Sequence, residues 1–419
     1  MKKLLSFILV VWFFSIIASI IWSFENPEKV EKFKGFFKKK KKIEVNIPKD
    51  NTIEFNANSF DVEIEKVLDL NDKTAFVINK QNLNKFNIKD LEIYTQTGTV
   101  IENLKSKKLT LPKSFTLQRN GGIKTIISHK NQRIALISNN EKNCFFASLF
   151  LLNDNQELFR TKCLPEIAKN NDFNGLGSSN VHLKESILFS LGTPEKHKSK
   201  NSPLAQMNNS KFGKILEINK LALENKIKDK KNELTVEIFS KGHRVPQGLT
   251  ILNGQIFNVE HGPKGGDELN RVIKGNNYGW PLVSYGTNYL KDSGGDGTSF
   301  TINHELKGYT EPLFAFVPSV GISNLNNCPK ILKNYYKKNC LVALSLYGNN
   351  LRKGHSIIIF LLNKRLNKVD SIEKISLGNL VLRHFVTNYN NTLYEDEDGN
   401  IYISADKKGI YKISFSKFR

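Results

Sequence analysis

Two glycine-rich segments stand apart from a lysine- and asparagine-rich background. The first is Gly242-His243-Arg244-Val245-Pro246-Gln247-Gly248-Leu249. The second runs Glu260-His261-Gly262-Pro263-Lys264-Gly265-Gly266-Asp267-Glu268-Leu269-Asn270. It continues into Gly275-Asn276-Asn277-Tyr278-Gly279-Trp280-Pro281 and Tyr285-Gly286-Thr287-Asn288-Tyr289. Gly262, Gly265 and Gly266 free the backbone to take positive φ and bend sharply. Pro263 lacks an N–H but keeps its carbonyl. Such a loop aims bare carbonyl oxygens at one point, which suits a hard cation such as Ca2+. Asp267 and Glu268 either add carboxylates to that point or hold a rigid turn by capping backbone amides.

This block resembles the glucose/sorbosone dehydrogenase family, soluble aldose sugar dehydrogenases that use pyrroloquinoline quinone (PQQ). The family pattern reads G-H-R-N-P-Q-G-L, then E-H-G-P-x-G-G-D-E-x-N, then G-x-N-Y-G-W-P and Y-G-x-N-Y, matched almost continuously from Gly242 to Tyr289. So long a run of Gly, Pro and Trp positions is a specific signal. Gln206 followed by Lys211-Phe212-Gly213-Lys214-Ile215-Leu216 is similar to the family's A-Q and G-K-I-L-R elements. Pro318-Ser319 resembles its P-S-I-A-P-S-G segment, and Arg383 with Asp398 to Gly409 its closing R-I-R-D and D-G-x-L-Y elements. The resemblance spans about residues 120–419. It implies a six-bladed β-propeller, a Ca2+ held partly by the Gly262 and Pro263 carbonyls, and cofactor contacts from His261, Arg383 and Gln206. It makes Arg244 the catalytic residue that touches the cofactor and polarises the quinone during hydride transfer from a sugar.

The departures bear on activity. The family's general base is the histidine of an H-x-G-x-R element. Asn174 occupies that position and Ser178 the arginine position. Asparagine does not titrate near neutral pH and cannot replace a base. Val245 replaces the Asn of R-N-P-Q, Val381 replaces the first Arg of R-I-R-D, and no lysine near Leu346 matches the family's. His182, the nearest histidine, reads as an ordinary strand residue. The sequence therefore carries two readings. One is a quinone-dependent sugar dehydrogenase with an altered base. The other is a catalytically lapsed, membrane-anchored propeller that binds a sugar, Ca2+ or a partner protein.

The elements that must position these residues read as strands. β-rich runs recur at Ile123–Ser128, Arg133–Ser138, Cys144–Leu152, Ile187–Leu191, Leu234–Phe239, Leu341–Leu346, Ser356–Leu362 and Ile401–Ser404. Asn120-Gly121-Gly122, Asn253-Gly254 and Asp398-Gly399 are hairpin signals. Helical spacing is scarce, with some in Lys220–Lys230. Many strands and few helices over 50–419 favour an all-β closed fold, which a propeller satisfies, with a pair of β-sandwiches as the competitor. The four cysteines leave three pairings open.

Leu4 to Phe24 carries no charge and is long enough to span a bilayer, so 1–24 reads as a single transmembrane helix or signal. A Lys-rich tether, 25–49, follows. Its lysines favour a cytoplasmic flank, whereas the family resemblance implies a periplasmic propeller on an inner-membrane anchor, and the latter is the expectation. The net charge of +22 rests on 53 lysines and only nine arginines. Nucleic-acid readers lean on arginine, so the excess reads as compositional background and nucleic acid is not an expected partner.

Overall fold

A computed structural model describes residues 43–48, 52–57, 59–80, 85–165, 172–194, 202–289, 297–346 and 355–419. The expected anchor at 1–24 and most of the tether lie outside the described residues. Among the described residues no helix is long and apolar enough to cross a membrane.

Six antiparallel sheets make the fold: five are four-stranded meanders in chain order, and the sixth has six strands and joins the two ends of the described chain. Blade one is Thr74–Asn79, Leu91–Thr95, Thr99–Glu102 and Lys105–Lys108. Blade two is Ile123–His129, Gln132–Glu141, Cys144–Leu151 and Gln156–Arg160. Blade three is Asn180–His182, Ser186–Leu191, Lys214–Asn219 and Glu237–Lys241. Blade four is Val245–Leu252, Gln255–His261, Asp267–Val272 and Phe314–Phe316. Blade five is Ile322–Asn327, Asn339–Ser345, Ser356–Leu362 and Val369–Ser376. Blade six joins Leu382–Phe385, Ile401–Ala405 and Gly409–Ser416 to the early strand Asp61–Leu70, in register Asp61 to Ser416. Thr52–Asn56 and Val45–Asn46 add to that strand.

The first strands of successive blades touch around a closed ring. Both faces of each sheet are therefore covered, which is why the middle strands read as unbroken apolar runs. Ser356–Leu362 is buried along its whole length. Closure also removes most exposed edges.

The strand readings hold, with Leu234–Phe239 shifted to Glu237–Lys241. The expected helix appears as Lys220–Lys228, capped by the Asn219 side chain on the Ala222 amide at 3.0 Å. Asn253-Gly254 turns a hairpin, with φ of 48° and 76°. Asn120-Gly121-Gly122 does not. It lies between blades, where Gly122 donates its amide to the Ser138 hydroxyl at 2.6 Å and so leads the chain into blade two. Disulfides join Cys144 to Cys163 and Cys328 to Cys340.

Candidate functional site

The first strand of each blade enters at one end of the ring, and the glycine-rich block gathers there. Arg244 sits just before the first strand of blade four and is buried, 6% exposed. Its Nη1 donates to the Gly262 carbonyl at 2.6 Å and to the His261 carbonyl at 3.4 Å. Its guanidinium lies 5.1 Å from the Trp280 ring centre, a cation–π distance. Arg244, His261, Gly262, Glu260, Glu268 and Trp280 line one small pocket.

The loop between Glu260 and Asp267 is shaped by backbone approach. Gly265 and Gly266 take φ of 88° and 74°, as the sequence suggests. Gly262 does not take positive φ. It is needed because a Cβ there would strike the Gly265 and Gly266 carbonyls. Of the two roles open to Asp267, the structure shows the turn-holding one. Its Oδ1 accepts from the Gly262 amide at 3.1 Å. Its Oδ2 accepts from the amides of Val320, Gly321 and Ile322 at 3.0, 2.6 and 3.2 Å. One carboxylate thus staples the loop to the first strand of blade five.

His261 lies beside Arg244. Its Nε2 is buried with no protein partner. Burial lowers its pKa, with Asp267 opposing and Arg244 adding to the effect, so the imidazole is neutral. Behind the loop, buried His243 shares a hydrogen bond with Glu260 at 3.0 Å and stacks on Tyr278 at 4.6 Å.

Glu268 accepts from the Asn270 amide at 3.1 Å, and His304 stands 3.9 Å away. Burial first, then the neighbouring Glu260 charge, holds the Glu268 carboxyl well above the usual range, so it keeps its proton. A raised folded pKa contributes stability that is complete below the ordinary carboxylate value and lost as pH rises through the raised one. Glu268→Gln, which stays neutral, should therefore gain stability over the parent as pH rises from 5 to 9, read by denaturant unfolding. A pH-independent difference between the two proteins would contradict this assignment.

Gln206 stands one step back from the pocket. Its Nε2 donates to the Trp280 carbonyl at 2.6 Å and to Asn277 Oδ1 at 3.1 Å. It locks the turn that carries Trp280, and through it Arg244. Lys214 in turn holds this segment, a role the sequence did not reveal. Its buried ammonium donates to the carbonyls of Leu204, Ala205 and Phe212 at 2.7–2.8 Å. Burial pushes its pKa down to about 7. The sequence signal was its place in the G-K-I-L element, which says nothing of what the ammonium touches.

Arg383 enters from blade six and grips Asp406 through two parallel hydrogen bonds, Nε to Oδ1 at 2.9 Å. Burial alone would raise the Asp406 pKa, but Arg383 outweighs it and holds the carboxyl below the usual range. Val381, where the family has an arginine, offers its carbonyl to the Asp406 amide at 2.9 Å. Residues 347–354, which follow Leu346, lie outside the described residues.

Asn174 is exposed on the short turn Asp172–Leu176. That turn packs on the first strand of blade four. Gly177, at φ 53°, lies so close to the Pro246 carbonyl that a Cβ has no room, and the Ser178 amide donates to the same carbonyl at 2.8 Å. The base position therefore adjoins the strand that follows Arg244. His182 is remote from it. It closes the strand Asn180–His182 at the other end, near Lys220 and His129, and burial pushes its pKa down to about 4.

No group of three or more metal-ligating side chains occurs among the described residues. The loop offers carbonyls alone, with Asp267 already engaged.

A model of the Glucose / Sorbosone dehydrogenase family matches residues 130–409. Quinoprotein glucose dehydrogenase B of Acinetobacter calcoaceticus is 36% identical over 104 residues, 23% of this chain and 21% of that protein. Aldose sugar dehydrogenase YliI of Escherichia coli is 47% identical over 62 residues, 14% of this chain and 17% of that protein. The chain thus spans about a fifth of the length of the curated relatives it matches. In three dimensions it is similar to the apo form of the soluble aldose sugar dehydrogenase from Escherichia coli. The TM-score is 0.62 at 20% identity, covering 89% of this chain and 99% of that one. The PQQ-bound aldose sugar dehydrogenase from Streptomyces coelicolor gives 0.53 at 14% identity, covering 88% and 100%. At such identities the likeness is one of fold.

Proposed function

Because the chain belongs to the glucose/sorbosone dehydrogenase family, we propose that it is a PQQ-dependent aldose sugar dehydrogenase-like protein acting at C1 of a sugar. The observation that carries this reading is the His261 nitrogen, buried and without a protein partner beside a buried arginine and the bent Gly262 loop. An orphaned polar atom in such a place fits a bound polar group. When bound, PQQ supplies the electron-accepting quinone that takes a hydride.

The chain's residues do the rest. Arg244 places a positive charge in a low-dielectric pocket, where it stabilises negative charge developing on an oxygen. Neutral His261 presents Nε2 to the cofactor. Arg383, oriented by Asp406, would hold a carboxylate of the cofactor. The Gly262 and Pro263 carbonyls suit Ca2+, but Gly262 already accepts from Arg244. A cation there needs further oxygen ligands from an anion and from water. Calorimetry should therefore show Ca2+ binding strongly only once PQQ is present. Tight Ca2+ binding by the apo-protein would contradict the assignment.

No residue at the base position takes a proton, since Asn174 does not titrate. This favours a second reading, a propeller that keeps its ligand site and has lost turnover. Reconstitution with PQQ and Ca2+, an aldose panel and a dye acceptor separates them. Dye reduction supports the enzyme. Cofactor binding without dye reduction supports the lapsed form. No cofactor binding overturns the PQQ assignment.

We also propose an inner-membrane anchor with the propeller in the periplasm. The two disulfides support an oxidising compartment. A C-terminal reporter active only in the cytoplasm would refute that side.

A further inference from the structure

Three basic side chains meet at the entrance of blades one, two and six. Lys124 is the second residue of the first strand of blade two, Ile123–His129. Arg383 is the second residue of the first strand of blade six, Leu382–Phe385. Lys73 immediately precedes the first strand of blade one, Thr74–Asn79. The charges that act on Lys124 are those of Arg383 and Lys73. Asp406 is paired with both of these, by the Arg383 fork and by Lys73 Nζ at 3.8 Å. Two of the three cations thus share one carboxylate, and Lys124 is hydrogen-bonded to a neutral carbonyl.

Lys124 is half-buried, and its Nζ donates to the Asn120 carbonyl at 2.6 Å. That carbonyl belongs to the turn Gln118–Asn120, which packs against the turn Asp172–Leu176 bearing Asn174. Lys124 is therefore at the same end of the ring as the candidate site. Meanwhile Val381 leaves an uncharged side chain where the family has an arginine.

We propose that Lys124, with Arg383 and Lys73, forms a carboxylate-binding clamp that takes over the role of the arginine missing at Val381. The ligand class is a polycarboxylate, and this rests on the PQQ reading insofar as PQQ is the one bound. An ammonium repelled by two other cations and bonded to a neutral carbonyl gains from an entering carboxylate, which supplies charge-assisted hydrogen bonds. Burial first, then Arg383 and Lys73, pushes the Lys124 pKa down to about 7. The clamp is then charged below neutrality and weakens above it, until a bound anion raises the pKa again.

The test is equilibrium binding of PQQ and of benzene-1,3,5-tricarboxylate, by calorimetry, at pH 6 and pH 8.5. The proteins are the parent, Lys124→Gln, Lys124→Met and Lys124→Arg. At pH 6 the Gln and Met variants should bind about 10- to 100-fold more weakly, the range expected for one charged hydrogen bond. The parent should lose affinity between pH 6 and 8.5. Lys124→Arg should bind well at both, because arginine stays charged. That rescue separates charge from a mere folding defect. Binding by the Gln and Met variants within twofold of the parent at pH 6 overturns the clamp and leaves the PQQ reading intact. If the parent binds the tricarboxylate through Lys124 but not PQQ, the clamp stands and the PQQ reading falls. If the parent binds neither, both fall.

Discussion

Asn174→His should raise aldose turnover by roughly 10²- to 10⁴-fold, the usual contribution of a positioned general base. The position is favourable on two grounds. Asn174 is exposed, so exchanging its side chain should change stability by no more than about 0.5 kcal/mol. Its turn is also pinned, through Gly177 and Ser178 against Pro246, beside the strand that follows Arg244. A new imidazole there has an ordinary pKa near 6.5. The pH–rate profile should therefore acquire an ascending limb around that value, absent from the parent. Steady-state dye reduction with PQQ and Ca2+ present reads both effects. Unchanged turnover with the cofactor demonstrably bound would show that proton removal is not the step this chain lacks.

Asp267→Ala should cost more than about 4 kcal/mol of folding stability. Four backbone amides converge on this carboxylate, which is 1% exposed. Each buried donor left without an acceptor costs about 1–3 kcal/mol. The sum is a large part of the roughly 5–15 kcal/mol that holds a folded domain. Asp267→Asn keeps the shape and one acceptor oxygen, and should lose less. The damage should extend to two blades, since the amides lie on the loop of blade four and at the start of blade five. Denaturant unfolding measures the loss. A loss under about 1 kcal/mol for Asp267→Ala would mean that water readily replaces the carboxylate.

The propeller was legible because its blades bury both faces. Apolar runs such as Ser356–Leu362 announce themselves without any partner being known. The pocket was legible where backbone geometry dictates residue type, as at Gly265 and Gly266. Legibility failed where one residue type serves two ends. Asp267 reads equally well as a ligand or a cap, and only the positions of Val320, Gly321 and Ile322 decide. Gln206 acts through the Trp280 carbonyl, 74 residues on, and Lys214 through carbonyls of the irregular segment before its strand, so neither leaves a periodic spacing to read. The Asn120-Gly121-Gly122 turn has the composition of a hairpin but joins two blades, because composition fixes φ and not the direction of the next strand.

The seam in blade six bears on the order of assembly. Asp61–Leu70 emerges early from the ribosome, yet its partner Gly409–Ser416 comes only after five complete blades. The ion pair beside the seam, Asp61 with Arg419, joins residues 358 apart. Until that late strand arrives, the nascent ring stays open and one side of Asp61–Leu70 is an unpaired template for other chains. Pairings this distant in sequence form slowly. The hazardous stage of this protein's life is thus the interval before the last strand docks, when chaperone cover and cell temperature govern the yield of closed molecules more than the stability of the finished ring does.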